Sequence, residues 1–400
     1  MRLVVGLALR DLVHQKVHLI CNVAILAGVL VPLLVLFGVK NGVYEALIGR
    51  LLSNPATLQI DTSGNEVFVA DDAETVRGWP EAGFVTLKTR SLFDFVNVRV
   101  EGGREKRDAL LIPSGTGDPN LPDGVTLGPG DVAVSAGLAA QLSIQPGARL
   151  QVITQAEDRP RQLVLTLDVT SVLPAASASG RSVLANVEVL DLVEAFYDAY
   201  ALPEYGIVDG RPMSQRTGEY EGLRVFAREL ESLAALQSRI EQEFAVRTEA
   251  RTAEVETILN LGRNLNLALL FTAGVASVGL AAALVFGFWG EVARKRQVLA
   301  ALALLGIGGR FLWLFPVVQA LASGCCGLLV SFGLFLVAGA AAERLFNSGL
   351  TEAGGLVSVS MGQGLVIGLL VLAFVAGASL FAAWHAGRTD PADVLRSGVT

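Results

Sequence analysis

Histidine and cysteine are scarce in this 400-residue chain, with three of each, and all six (His14, His18, His385, Cys21, Cys325, Cys326) fall in or beside long apolar runs. The polar stretch 40–263 has neither. That excludes from it Ser-His-Asp and Cys-His catalysis, zinc held by His or Cys, and a disulfide framework. Charge is scarce as well: 17% of residues are charged against 52% apolar, and the mean hydropathy is +0.53. Such a balance excludes a disordered chain and argues against a soluble globule. No Gly-x-x-x-x-Gly-Lys-Ser/Thr phosphate loop occurs, because Gly115-Thr-Gly117 and Gly128-Pro-Gly130 lack the lysine and the hydroxyl that follows it. The chain therefore reads as a membrane protein without ATPase motifs of its own and not as an enzyme. An enzyme using carboxylates alone would have to draw on residues such as Asp71, Asp72 and Glu74, which look like helix-start and surface positions.

What the chain does have is four uncharged windows long enough to cross a bilayer, which takes about 20 apolar residues. They lie at residues 17–39, 264–290, 311–342 and 362–386. Lys and Arg in short loops are retained on the cytoplasmic side. Arg2, Arg10 and Lys16 stand before the first span, Arg294, Lys295, Arg296 and Arg310 between the second and third, and Arg388 and Arg396 after the fourth. Both termini are therefore expected in the cytoplasm: a leading segment 1–16, a loop 291–310 and a tail 387–400, with 343–361 as a short external loop and 40–263 outside as well. A cleaved signal peptide fits poorly, since the apolar run exceeds a signal core and Lys40-Asn-Gly-Val-Tyr-Glu45 is no small-residue cleavage site. No span carries a charge at its centre, where ion-driven carriers keep one for function, and the mid-span polar groups reduce to residues such as Gln319. Proton or sodium coupling is thereby disfavoured.

The expected outside domain carries 21 basic and 32 acidic side chains, a net of −11, which would repel nucleic acid and anionic headgroups. Its texture is mixed α and β. Strand-like runs at 95–100, 149–154 and 162–169 are separated by Gly/Pro/Asp punctuation, notably 113–130, and helical patterns appear at 135–142, 189–200 and 228–244. From Thr252 the apolar positions Val255, Ile258, Leu259 and Leu261 continue without a breaker into the second span, as a stalk helix would.

Two groups of residues suit mechanical roles. In the loop after the second span, Arg294, Lys295 and Arg296 precede Val298, Leu299, Leu302 and Leu305 at helical spacing, before the break that Gly306 opens. This pattern suits contact with an ATPase partner, and equally a topological anchor with an interfacial helix. Small residues recur in the last two spans, Gly324, Gly327 and Ser331 in the third and Gly364 and Gly368 in the fourth, where they permit close helix packing. Pro316 fits either a kink at the start of the third span or a place in its first turn.

The order of parts resembles the permease subunits of the MacB/FtsX/LolC-type (type VII) ABC systems along essentially the whole chain. Leu7-Ala-Leu-Arg-Asp-Leu-Val-His-Gln-Lys16 is similar to the family's amphipathic leading helix, Arg294-Lys-Arg-Gln-Val-Leu-Ala-Ala-Leu-Ala-Leu-Leu-Gly306 to its coupling segment, and Arg388-Thr-Asp-Pro-Ala-Asp-Val-Leu-Arg396 to its Asp-Pro-Ala tail. The stretch from Asp131 to Gly147, followed by Arg149-Leu-Gln-Val-Ile153, resembles its helix, Gly turn and strand. The family usually has an acidic residue in the coupling segment, where this chain has Gln297 and Val298, and often another early in the third span, where Gln319 stands. The resemblance implies a polytopic α-helical protein of the bacterial cytoplasmic (inner) membrane, with a porter-like α/β part and an inserted β-rich part outside. It implies membrane lipids around the spans, a second permease chain, identical or not, and a cytoplasmic dimer of ABC ATPase subunits holding ATP and Mg, so that no cofactor belongs to this chain. It leaves open a periplasmic adaptor or outer-membrane partner. The implied activity is mechanotransmission, exporting or extracting a hydrophobic or lipidated substrate, or else FtsX-like signalling to an extracytoplasmic partner such as a cell-wall hydrolase.

Overall fold

The computed structural model describes residues 2–63, 66–156, 159, 161–304, 314–345, 357 and 359–386. The chain divides into two compact units, Met1–Ile48 with Leu261–Thr400, and Gly49–Asn260. It begins with a short helix α1 (Arg2–His14) and, after Gln15, a long helix α2 (Lys16–Leu52).

The unit Gly49–Asn260 has two parts. The first is a four-stranded antiparallel sheet of β1 (Gln59–Ser63), β2 (Ala82–Lys88), β9 (Gly222–Ala227) and β10 (Arg247–Ala250), in the spatial order β10-β1-β9-β2. Helix α3 (Ala70–Arg77) joins β1 to β2 and α6 (Leu233–Phe244) joins β9 to β10, which is the β-α-β-β-α-β arrangement of ferredoxin-like folds. Asp71 and Asp72 lie in the first turn of α3, where carboxylates suit the helix dipole, and the Val69 N–H donates to Asp72 Oδ2 at 2.8 Å, so Asp72 caps the helix.

Between β2 and β9 the chain leaves the sheet and builds the second part, a closed six-stranded barrel. Its strands are β3 (Phe95–Val100), β4 (Arg107–Ser114), β5 (Asp131–Ser135), β6 (Arg149–Thr154), β7 (Leu163–Leu173) and β8 (Ser182–Asn186), ordered β3-β4-β8-β5-β7-β6. Closure removes the exposed edges that an open sheet of this size would have to protect. Helix α4 (Ala136–Leu142) follows β5 and α5 (Val187–Tyr197) follows β8. The barrel is legible in β7: Leu163, Leu165, Leu167, Val169 and Leu173 are buried while Val164, Thr166, Asp168 and Thr170 point out, a period of two over the whole strand. The turn after α4 needs Ser143 at φ 52° and Gly147 at φ 88°, and the Gly147 N–H donates to the Val169 carbonyl at 2.7 Å, which sets the start of β6.

The remaining helices are α7 (Thr252–Leu304), α8 (Leu314–Leu345) and α9 (Met361–Ala386). Four helices, α2, α7, α8 and α9, are long and apolar enough to cross a membrane, and the α/β unit is inserted between the first and second of them. Among the described residues Leu26, Leu30 and Leu34 of α2, Leu280 and Leu284 of α7, Ala320, Leu328 and Phe335 of α8 and Val375 of α9 form one buried cluster. The outward faces stay apolar, as at Phe271, Val275 and Val278 of α7, which suits helices solvated by lipid. Pro316 is the third residue of α8 as described.

Candidate functional site

Small residues allow helices to approach closely, and three of the five singled out above stand at such contacts. A Cβ at Gly324 would meet Val375 at 3.3 Å, and one at Gly327 would meet Leu26 at 3.0 Å. One at Gly364 would meet Phe332 at 3.4 Å, whereas at Gly368 it would find open space. Ser331 is fully buried, and its hydroxyl donates to the Gly327 carbonyl one turn back at 2.7 Å. Thus Gly324 and Gly327 set the distance of α8 from α9 and α2, while Gly368 has no such neighbour among the described residues. Residues Arg294, Lys295, Arg296, Val298, Leu299 and Leu302 fall on the last turns of α7. Leu305 and Gly306 lie outside the described residues.

Three polar or aromatic contacts between these helices escape a reading by periodicity. A Cβ at Gly262 would overlap the Tyr44 ring, so α2 and α7 touch there through a flat side chain lying on a glycine. Asn41, buried in α2, donates to Gln363 Oε1 of α9 at 3.4 Å. Gln319, 3% exposed in α8, donates from Nε2 to the Ala8 carbonyl at 3.1 Å and to Asp11 Oδ2 at 2.9 Å, both on α1. The sequence marks Gln319 as an isolated amide in an apolar run but carries no sign of its partner.

In the unit Gly49–Asn260, charge gathers where the chain passes between sheet and barrel. Arg90, in the outgoing crossing, pairs with Glu194 and Asp198 of and just after α5. Arg216, in the returning crossing, pairs with Asp191 at 2.7 Å, Glu194 at 3.1 Å and Asp198 at 3.3 Å. Glu221 accepts from the Ser91 N–H at 2.5 Å and from its hydroxyl at 3.1 Å. Arg90 is held above the ordinary guanidinium range by its hydrogen bond to Asp198, against desolvation and with further help from Glu194. Desolvation opposes ionisation of Asp198, but Arg90 and Arg216 outweigh it and hold the carboxyl below the usual range. Desolvation likewise works against charged Arg216, and Asp191, Glu194 and Asp198 overcome it and raise its pKa. Beside this network lies a cleft of about 380 Å³, whose lining includes Arg90, Glu194, Tyr200, Arg216 and Tyr220. Burial pushes the Tyr220 hydroxyl above its ordinary pKa.

Two further acids belong to the same junction. Asp94, 7% exposed, accepts from the Thr89 hydroxyl at 3.3 Å. Burial pushes its carboxyl up to about 7 despite Lys88 and that hydrogen bond, with Glu221 and Glu194 adding to the rise. Asp118, on the connection after β4, pairs with Arg224 of β9 at 2.8 Å, and both side chains are buried. Arg224 also donates to the Pro113 carbonyl at 2.6 Å, and Asp118 accepts from the Ser114 hydroxyl at 2.7 Å and the Asn120 N–H at 2.8 Å. Ion pairs and backbone hydrogen bonds thus fasten the barrel to the sheet from both crossings. Among the described residues no group of three or more His, Cys, Asp or Glu side chains could hold a metal ion.

No protein-family model matches this sequence, and no curated protein matches it. Among solved structures the chain is similar to the extracellular domain of a noncanonic ABC-type transporter, YknZ, from Gram-positive bacteria, at 12% identity and a TM-score of 0.30, over 48% of this chain and 97% of that one.

Proposed function

We propose that this chain is a permease subunit that uses the ATPase cycle of a separate cytoplasmic partner to move its extracytoplasmic domain, and thereby exports or extracts a hydrophobic or lipidated substrate. One observation carries the reading: α7 is a single helix of 53 residues. At 1.5 Å per residue it is about 80 Å long, against about 30 Å for the hydrocarbon of a bilayer. It starts two residues after β10 of the α/β unit and continues through the apolar stretch to Arg294, Lys295 and Arg296. A helix without a break resists bending, so a displacement at its basic end is transmitted along the rod instead of being absorbed in a loop. Helix α2 also runs past its apolar stretch, its 37 residues reaching Leu52, although Pro32 in its interior removes one helix hydrogen bond. The missing phosphate loop and the uncharged span centres add support, because force must then come from another polypeptide.

The test is reconstitution of the full chain in lipid with cytoplasmic ABC ATPase subunits from the same cell. A stable complex is expected, with ATP hydrolysis altered by the permease and a nucleotide-dependent change in a spin-label distance on the α/β unit. No complex and no change in hydrolysis would falsify the partner claim. Activation of a bound extracytoplasmic protein without substrate movement would replace transport by signalling.

A further inference from the structure

Helix α1 is joined to α8 by polar atoms in apolar surroundings. Ala8 and Leu12 are buried, while Leu9, Arg10, Val13 and His14 remain exposed, so α1 has one committed face. Gln319 reaches across to it, giving one amide group to both the Ala8 carbonyl and the Asp11 carboxylate. Asp11 is further fixed by Gln15, whose Nε2 donates to its other oxygen at 3.2 Å. One turn on, the Ser323 hydroxyl turns back to the Gln319 and Ala320 carbonyls at 2.7 and 3.1 Å, so it stays within α8. Gln319 is 3% exposed, so an amide pulled away from these acceptors would be left buried with its hydrogen bonds unmade. Shear between α1 and α8 is therefore opposed at Gln319, whereas α1 and α2 are separated by the break at Gln15.

We infer that Gln319 is a positioning residue that locks α1 to α8, so that the two move as one body and α1 becomes a second lever on the spans beside the basic end of α7. What pulls this lever rests on the function proposed above; the lock itself does not.

The experiment uses the full chain in lipid nanodiscs with Cys21 and Cys326 replaced by Ser, and spin labels on the native Cys325 of α8 and on Val13→Cys of α1, both exposed positions. A single narrow distance is expected with Gln319. In Gln319→Leu the ratio of docked to undocked α1 should fall by about 3- to 20-fold, the range of interhelical polar contacts in membranes. Gln319→Lys, whose ammonium can donate to the same two oxygens, should restore the narrow distance, which a packing role alone would not predict. If Gln319→Leu does not insert, Asp11→Ala reports on the same contact and should broaden the distance. A distribution in Gln319→Leu or Asp11→Ala as narrow as the parent's overturns the lock. With the ATPase added, Gln319→Leu should still bind it but lose the permease-dependent change in hydrolysis, and Gln319→Lys should recover it. Undocked α1 with unchanged hydrolysis overturns the lever. Failure of the parent to bind the ATPase overturns the proposed function, and the label distance still decides the lock.

Discussion

At the scale of single residues, the α/β unit depends on charges that are buried only because they are paired. Asp118 and Arg224 are the clearest case, being deep between sheet and barrel. Removing one member leaves the other buried and unpaired, which costs about 3–5 kcal/mol. Asp118→Ala should therefore lower the unfolding midpoint of this unit strongly in denaturant titrations of the full chain. Asp118→Leu with Arg224→Met should recover most of the loss. A single variant as stable as the parent would show that the pair carries no such load. Asp94 makes a prediction about pH. Its carboxyl, held at about 7 in the fold, titrates near 3.9 in an unfolded chain, so the folded state binds the extra proton. The stability this confers is fully present below the unfolded value and is lost as pH rises through about 7, with a slope of up to about 1.4 kcal/mol per pH unit. Asp94→Asn does not titrate. Its advantage over the parent should open between pH 4 and pH 7 and stay constant above pH 8; denaturant midpoints measured across that range decide it.

At the scale of elements, helix packing depends on which glycines face a neighbour. Gly262 lies under the Tyr44 ring, and an added methyl there must displace the ring, a form of overpacking that costs about 1–3 kcal/mol. Gly262→Ala should weaken the contact of α2 with α7, and Tyr44→Ala in the same chain should relieve it; thermal unfolding of the four variants in detergent tests the coupling. A Cβ at Gly368 would meet nothing within 4 Å among the described residues, so Gly368→Ala should be neutral or slightly stabilising, by up to about 1 kcal/mol from helix propensity. The sequence marks Gly368 as a small residue in a long apolar run but carries no such sign at Gly262, which stands beside Arg263 before the second span. By contrast the strand β7 and the first-turn acids of α3 are readable directly, since alternation along a strand and carboxylates in a first turn are properties of consecutive residues.

At the scale of the whole molecule, the division between the two compact units falls inside helices, after Ile48 within α2 and after Asn260 within α7, instead of in flexible linkers. Under the proposed function that continuity is the mechanism. Leu261 is a suitable place to break it, being exposed and outside the apolar core of the spans. Leu261→Pro removes a helix hydrogen bond and clashes with the preceding turn. The expected outcome is normal insertion and normal ATPase binding, with loss of the nucleotide-dependent distance change on the α/β unit. An unchanged response in that variant would mean that α7 does not carry the motion.

Four apolar helices, an α/β insert after the first of them and a helix that begins at Thr252 and runs on into the second apolar stretch are legible in the order of residues alone. That order also places α4 and the strands β3 and β6 within a residue or so, because apolar length, periodicity and turn residues are local properties. Which distant groups meet follows from the folded arrangement instead. The barrel closes by pairing β3 with β6, Arg216 and Arg90 share the acids of α5, and Asp118 is matched to Arg224 106 residues away. Gln319 finds Asp11 across 308 residues. An amide or a carboxylate is satisfied by any suitable partner, so its identity leaves the choice open until strand register and helix packing bring one candidate within hydrogen-bond distance and move the others away.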